Sequence, residues 1–411
     1  MKFLRALPLK EVPFFLLAVA CSFCITFDYA ITRPVSHSIF ITTFGAKMLP
    51  YAWLLTVPLN LCIVSLYNRY LVRIGPLKMV GAILSVSIVM NTLGGLWISQ
   101  VASLSFAHFM WKEIAVLLMF QQVWSIVHTT AKQENAKYLY GLMFALGGIG
   151  GACGSIIPSF LAITYGSQNL LFLTLPIFIA FFFFYKKLVT LRYALAPIDL
   201  KQEKKRGGFA LIKKSSVLQF ILLIVVFMQI GSAIVDYQFS SFLEKTFTST
   251  DLRTAFEGKV YGIISSAKIF FQLVGTYLVV HFMGLRLSHF LVPSILLCNA
   301  VLVVIFPGFS MITYAFSTIK SFDYSIFNIQ KKLLSLPLKS EEKFKAKAVI
   351  DVFAYRSSKA VASILIIGLQ FLQVNPVAQS IGITSVVIFA FWLATVSLLY
   401  NSTKTNYMRG I

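Results

Sequence analysis

Lys186-Lys-Leu-Val-Thr-Leu-Arg-Tyr-Ala-Leu-Ala-Pro-Ile-Asp-Leu-Lys-Gln-Glu-Lys-Lys-Arg-Gly-Gly-Phe-Ala-Leu-Ile-Lys-Lys-Ser-Ser216 is the longest polar stretch of the chain, and nearly everything on either side of it is apolar. A bilayer core about 30 Å thick takes about 20 apolar residues per helix. Runs of that length fall near residues 12–32, 49–68, 79–99, 113–131, 138–163 and 169–185 before the stretch. After it they fall near 217–238, 260–282, 288–306, 310–330, 348–372 and 379–400. The composition agrees, because 58% of 411 residues are hydrophobic, close to the roughly 240 that twelve spans would use. Only 12% are charged, about half the share in soluble domains, so little chain remains for a soluble domain.

The net charge of +22 would suggest nucleic-acid binding in a soluble protein. Here the basic residues sort by side of the membrane. Counted from a cytoplasmic N-terminus, the inner segments hold 26 Lys and Arg and the outer ones six. Lys and Arg collect in cytoplasmic loops, so the expectation is a multi-pass protein of a bacterial inner membrane with both termini inside and no nucleic-acid partner. A basic central loop between two six-span halves is the plan of the major facilitator fold. The expected architecture is therefore all-α, with twelve transmembrane helices in two halves, 1–186 and 217–411, joined by a cytoplasmic linker at 187–216. The basic loop Asn68-Arg-Tyr-Leu-Val-Arg-Ile-Gly-Pro-Leu-Lys78 follows span 2, and Arg286 marks its counterpart after span 8. The apolar run that follows Lys2, Arg5 and Lys10 has no small-residue cleavage site, and reads as an uncleaved first span. Cys21, Cys24, Cys62, Cys153 and Cys298 lie in apolar runs without metal spacing. No phosphate loop, zincin motif or nucleophile elbow occurs. The chain reads as a non-enzyme that uses no cofactor or metal and does not hydrolyse ATP.

Ionisable residues inside spans are costly and by default functional. Several here share helical faces. Span 1 carries Ser22, Thr26, Tyr29, Arg33 and His37 in one stripe, and span 7 carries Gln229, Ser232, Asp236 and Ser240. Span 8 carries Tyr261, Ser265, Lys268 and Gln272, and span 11 carries Lys347, Asp351, Tyr355 and Lys359. Four polar faces imply a hydrated cavity. The cations Arg33, Lys47, Lys268, Lys320, Arg356 and Lys359 face the acids Asp28, Glu113, Asp236, Asp323 and Asp351. Alternatively the charges neutralise one another, for example Lys320 with Asp323 at i, i+3. Arg suits phosphate or carboxylate through its planar fork and Lys as a point charge, so the cationic members point to an anionic small molecule. His37 and His128 fall on polar faces, either as proton relays or in structural roles. Span 5 carries glycines at 141, 147, 148, 150, 151 and 154, which suit close helix contact.

Three blocks resemble the bacterial and plastidic ATP/ADP translocases. The first is Asp28-Tyr-Ala-Ile-Thr-Arg33 with Gly45-Ala-Lys-Met-Leu-Pro50. The second is Trp111-Lys-Glu113, Val123-Trp-Ser125 and Glu134-Asn-Ala-Lys137-Tyr-Leu-Tyr140-Gly141. The third and densest runs from Lys320-Ser-Phe-Asp-Tyr-Ser-Ile-Phe-Asn328 through Leu336-Pro-Leu338 to Lys345-Ala-Lys-Ala-Val-Ile-Asp-Val-Phe-Ala-Tyr-Arg-Ser-Ser-Lys359. The resemblance implies a facilitator-type fold, nucleotide exchange, and matching positions at Arg33, Lys47, Glu113, Lys137, Lys320, Asp351, Arg356 and Lys359. The chain departs from the family pattern at Pro34 to His37, Tyr138, Ser358 and Ala360, and is short for the family.

The expected function is secondary transport of a nucleotide-like or phosphorylated anion by alternating access, as exchange, in a carrier acting as a monomer. Substrate binding falls to the matching positions together with Lys268, with Arg33, Arg356 and Lys359 as the anion site. Asp28, Asp236 and Asp323 are the candidates for coupling or gating. The alternatives are proton-coupled import of another small solute, with Asp28, Glu113 or Asp236 protonatable, and a paralogue that no longer transports.

Overall fold

The structure is a computed structural model that describes residues 11–130, 133–195, 211–213, 215–334, 350, 354–372 and 377–401. Apolar runs bounded by polar residues become long helices because every backbone N–H and C=O must find a partner within its own segment once water is excluded. The helices are α1 (Val12–Phe44), α2 (Leu49–Trp97), α3 (Ala102–Thr130), α4 (Gln133–Tyr165), α5 (Leu175–Leu195) and α6 (Ser216–Thr246). Next come α7 (Thr250–Tyr277), α8 (Gly284–Ile305), α9 (Phe309–Phe322), α10 (Asn328–Leu334), α11 (Tyr355–Phe371) and α12 (Val377–Asn401). Short π-helical segments, Leu278–Met283 and Asp323–Phe327, lead into α8 and α10.

Among the described residues, eight helices are long and apolar enough to cross a membrane, against the twelve spans expected from the sequence. Part of the difference is physical. The 52-residue segment Ala46–Trp97 counts once, yet at 1.5 Å per residue it would be about 78 Å long, more than twice the hydrocarbon thickness. Its helix is broken at Gly75 (φ 79°, ψ 166°), and Pro76, with no N–H to leave unpaired, restarts it. The basic loop expected at 68–78 is thus one non-helical residue. Gly284 has nearly the same backbone conformation (φ 67°, ψ 160°) where α8 begins, just before Arg286. In both cases φ and ψ fall in a region open essentially to glycine alone. The shorter count also reflects α7, which is too polar to qualify, and α9 and α11, which have 14 and 17 residues.

The chain forms two compact units. The first comprises Met1–Gly45, Pro58–Lys201 and Phe247–Ile269; the second comprises Ala46–Val57, Gln202–Thr246 and Phe270–Ile411. In the first, a core of Phe14, Phe15, Ile25, Leu118, Phe181 and Tyr185 joins α1, α3 and α5. On its other side α1 meets α4 at the glycines. A Cβ at Gly150 would stand 2.6 Å from the Phe23 carbonyl oxygen, and one at Gly154 would stand 2.5 Å from that of Phe27. Only hydrogen atoms fit there, so small residues four apart let the two backbones touch. In the second unit, α6 packs on α9 through Phe239 stacked on Phe316, with centroids 4.2 Å apart, and on α12 through Gly231 beneath Phe389.

Candidate substrate and coupling site

Tyr29 and Arg33 of the span 1 stripe lie against residues of α3 and α7. Arg33 lies with its guanidinium carbon 4.1 Å from the ring centre of Tyr261 on α7 and 5.6 Å from that of Tyr29. Tyr29 Oη donates to Glu113 Oε1 at 2.9 Å, and Lys112 Nζ donates to the same oxygen at 2.8 Å. One carboxylate oxygen therefore ties α3 to the ring that carries Arg33. Lys112 is buried, with its ammonium 4.4 Å from the Phe109 ring centre. One turn below Arg33, the buried Asp28 accepts a hydrogen bond from Thr32 at 3.1 Å. Lys268 is half-buried on α7. All of these belong to the first unit.

In the second unit, the α6 stripe receives both charges of α9 and the segment after it. Lys320 Nζ donates to Asp236 Oδ2 and to Ser232 Oγ, each at 3.1 Å, and both charged residues are 7% exposed. Asp323 accepts from Gln229 Nε2 at 3.0 Å. Beside the i, i+3 spacing of Lys320 and Asp323, both residues thus also make contacts to a neighbouring helix. Asp323 opens the π-helical turn, whose wider winding departs from the α spacing behind that expectation. Lys359, near the start of α11, holds its ammonium 4.4 Å from the ring centre of Trp53. Lys47 is exposed in the turn Ala46–Met48, where the Ala46 N–H donates to Glu244 Oε2 at 3.0 Å.

Asp351 and Lys347 lie outside the described residues, as do the side chains of Lys137 and Arg356. The remaining candidates thus fall into two groups: Arg33, Glu113, Asp28 and Lys268 in one unit, and Lys320, Asp236, Asp323, Lys359 and Lys47 in the other. Sequence reading passed over Lys112, Trp53 and Glu257. Glu257 was legible, because it precedes Tyr261 by four residues and extends the span 8 stripe by one turn. The apolar run that marks span 8 begins only at residue 260, which leaves Glu257 outside it.

Residues 311–402, the part of the chain with the Lys320 to Lys359 series, match the family model of the TLC ATP/ADP transporter. The chain is similar to ADP,ATP carrier protein 1 of Chlamydia muridarum, with 22% identity over 475 aligned residues that cover 95% of this chain and 88% of the carrier. Its fold is similar to that in the crystal structure of the nucleoside transporter NupG, at a TM-score of 0.58 and 11% identity, covering 96% of this chain and all of that one. The chain is all-α with a fold similar to that of this transporter, and among the described residues eight helices are long and apolar enough to cross a membrane.

Proposed function

We propose that this transporter moves a nucleotide-like or otherwise phosphorylated anion by alternating access, exchanging one anion for another. The observation that carries the reading is that the family match falls on the segment holding Lys320, which is bonded to Asp236, and Lys359. Arg33 adds a second kind of support. Ring contacts hold a guanidinium through its flat face, while its donors lie in the plane, the arrangement that suits a two-point grip on phosphate. A substrate with several negative charges needs compensating cations wherever water is thin. Arg33, Arg356 and Lys359 serve in that role, Glu113 and Tyr29 position Arg33, and Lys47, Lys137, Lys268 and Asp351 are further members of the substrate path. In this reading both termini face the cytoplasm, and one protomer suffices.

Proteoliposomes loaded with ADP and given labelled ATP outside test it directly. Uptake should require the internal nucleotide and persist in the presence of a protonophore. Arg33→Gln and Arg356→Lys should each fold while losing roughly ten-fold or more in apparent affinity, the loss of a charge-assisted contact worth about 1.5–3 kcal/mol. If uptake of ATP, ADP and sugar phosphates alike is no faster than in protein-free liposomes, the reading is wrong. Collapse of uptake with the protonophore would favour a proton-coupled importer instead.

A further inference from the structure

One strip of α3 is left uncovered by the core. Ile114, Leu118, Val123 and Val127 are buried, whereas Glu113, Leu117, Gln121, Trp124 and His128 are half-buried or exposed. These five recur at i, i+4, i+8, i+11 and i+15, which is one face of a 3.6-residue helix. At one end stands Glu113, its side chain 34% exposed, accepting from Tyr29 beside Arg33. Carboxylates do not face hydrocarbon, and intramembrane ones turn toward the bundle interior or a hydrated cavity. The strip therefore opens on the same side as Arg33, and its aromatic end is not a belt of rings anchored in lipid.

That end is a corner of four rings, all in the first unit. The imidazole of His128 stacks on Trp124, with centroids 5.4 Å apart and planes 24° apart. From α4, Tyr140 stands edge-on to both rings at 5.2 Å, and its hydroxyl is hydrogen-bonded to His128 Nδ1 at 2.6 Å. Phe144, one turn further along α4, lies 5.5 Å from Trp124. Trp124 and Tyr140 pack on the core of the unit, while His128 is exposed and Phe144 is 38% exposed.

Rings backed by a core, braced by a hydrogen bond and exposed beside a polar strip suit a flat solute with a π face. A nucleobase is such a solute, and stacking on aromatic side chains holds any base, because every base has a π face. The spacing fits as well. Trp124 lies eleven residues beyond Glu113, about 16 Å along the helix axis. An extended nucleoside triphosphate, with its base at one end and its charges at the other, covers a distance of that order.

We propose that Trp124, His128, Tyr140 and Phe144 form a nucleobase subsite, which stacks the base of a nucleoside phosphate whose phosphates lie toward Arg33. The inference rests on the reading of the substrate as a phosphorylated anion, and narrows that class to nucleotides. The base lies against the exposed rings of His128 and Phe144, with Trp124 and Tyr140 as their backing. Purine and pyrimidine nucleotides are both held, since stacking does not read the base edge.

The test is calorimetric binding to purified full-length protein, with adenosine, ATP and tripolyphosphate as probes. Wild type should bind ATP more tightly than tripolyphosphate, and adenosine weakly. Phe144→Leu and Trp124→Leu should each weaken ATP by roughly five- to a hundredfold, the loss of one stacked ring, and leave tripolyphosphate unchanged. Phe144→Tyr, which keeps the ring, should bind ATP as wild type does. Phe144 is exposed, so its variants decide the matter if Trp124→Leu fails to fold. Equal affinity of wild type for ATP and tripolyphosphate would overturn the subsite and leave the anion reading standing. Variants that bind ATP as wild type does, or that lose ATP and tripolyphosphate alike, would also overturn it. Binding of adenosine, weakened in Phe144→Leu, without binding of either anion would uphold the subsite and sink the anion reading. Binding of none of the three probes would sink both.

Discussion

Lys320 illustrates what a buried ammonium requires. Its hydrogen bonds to Asp236 and Ser232 both reach one helix, and breaking such a pair from one side leaves the other charge stranded at about 3–5 kcal/mol. Lys320→Met should therefore lower the melting temperature sharply, as should Asp236→Leu. The double variant should recover most of the loss, because two apolar residues often replace a buried ion pair at little cost. Additive losses would show that the two side chains act separately. The acidic and basic residues themselves were legible from their spacing on each helix. Their partners were not, because spacing within one helix cannot say which face of which neighbour lies opposite. Lys320 sits at i, i+3 from Asp323 and also reaches Asp236 on α6, and Lys359 lies over Trp53, about three hundred residues away in sequence.

The seam between α1 and α4 is specified by an absence of side chains. At Gly154 an added Cβ would meet the Phe27 carbonyl oxygen at 2.5 Å and the Ala30 Cβ at 3.0 Å, and the first of these is backbone that cannot swing aside. Gly154→Ala should therefore cost about 1–3 kcal/mol as overpacking. Gly141→Ala on the same helix has nothing within 4 Å, and should be neutral or slightly stabilising through better helix propensity. Melting curves of the two variants check the contrast, and equal behaviour would mean that the seam gives way more easily than its geometry suggests. The glycine run itself marked a helix contact in the sequence. The choice of α1 as its partner came only from the fold.

For the molecule as a whole, the topological claim rests on the distribution of Lys and Arg. In the proposed orientation, which puts the Lys and Arg excess in the cytoplasm, a reporter fused after Arg206 or Thr405 should read cytoplasmic and one within 246–254 should read external. A cytoplasmic reading from the latter would reverse the assignment. Fold class was legible because apolar run length is a direct consequence of bilayer thickness. The number of crossing helices was less so. The runs near 49–68 and 79–99 fall in the one broken helix Leu49–Trp97, and the run near 260–282 starts ten residues into α7 and so leaves out the buried Glu257.

The breaks at Gly75 and Gly284 have a consequence in terms of handedness. With φ near +70° and ψ near 160°, the chain there adopts a conformation natural to the mirror image of an L residue. Nothing crowds either position, since an added Cβ would meet no atom within 4 Å. Size is therefore irrelevant, and chirality alone does the excluding. Alanine is as unwelcome as tryptophan, and a D-alanine introduced by chemical synthesis would fit where any genetically encoded substitute strains the backbone. Every missense change at these two codons exchanges the one achiral amino acid for a chiral one of the wrong hand, in contrast to Gly154, where the objection is to volume.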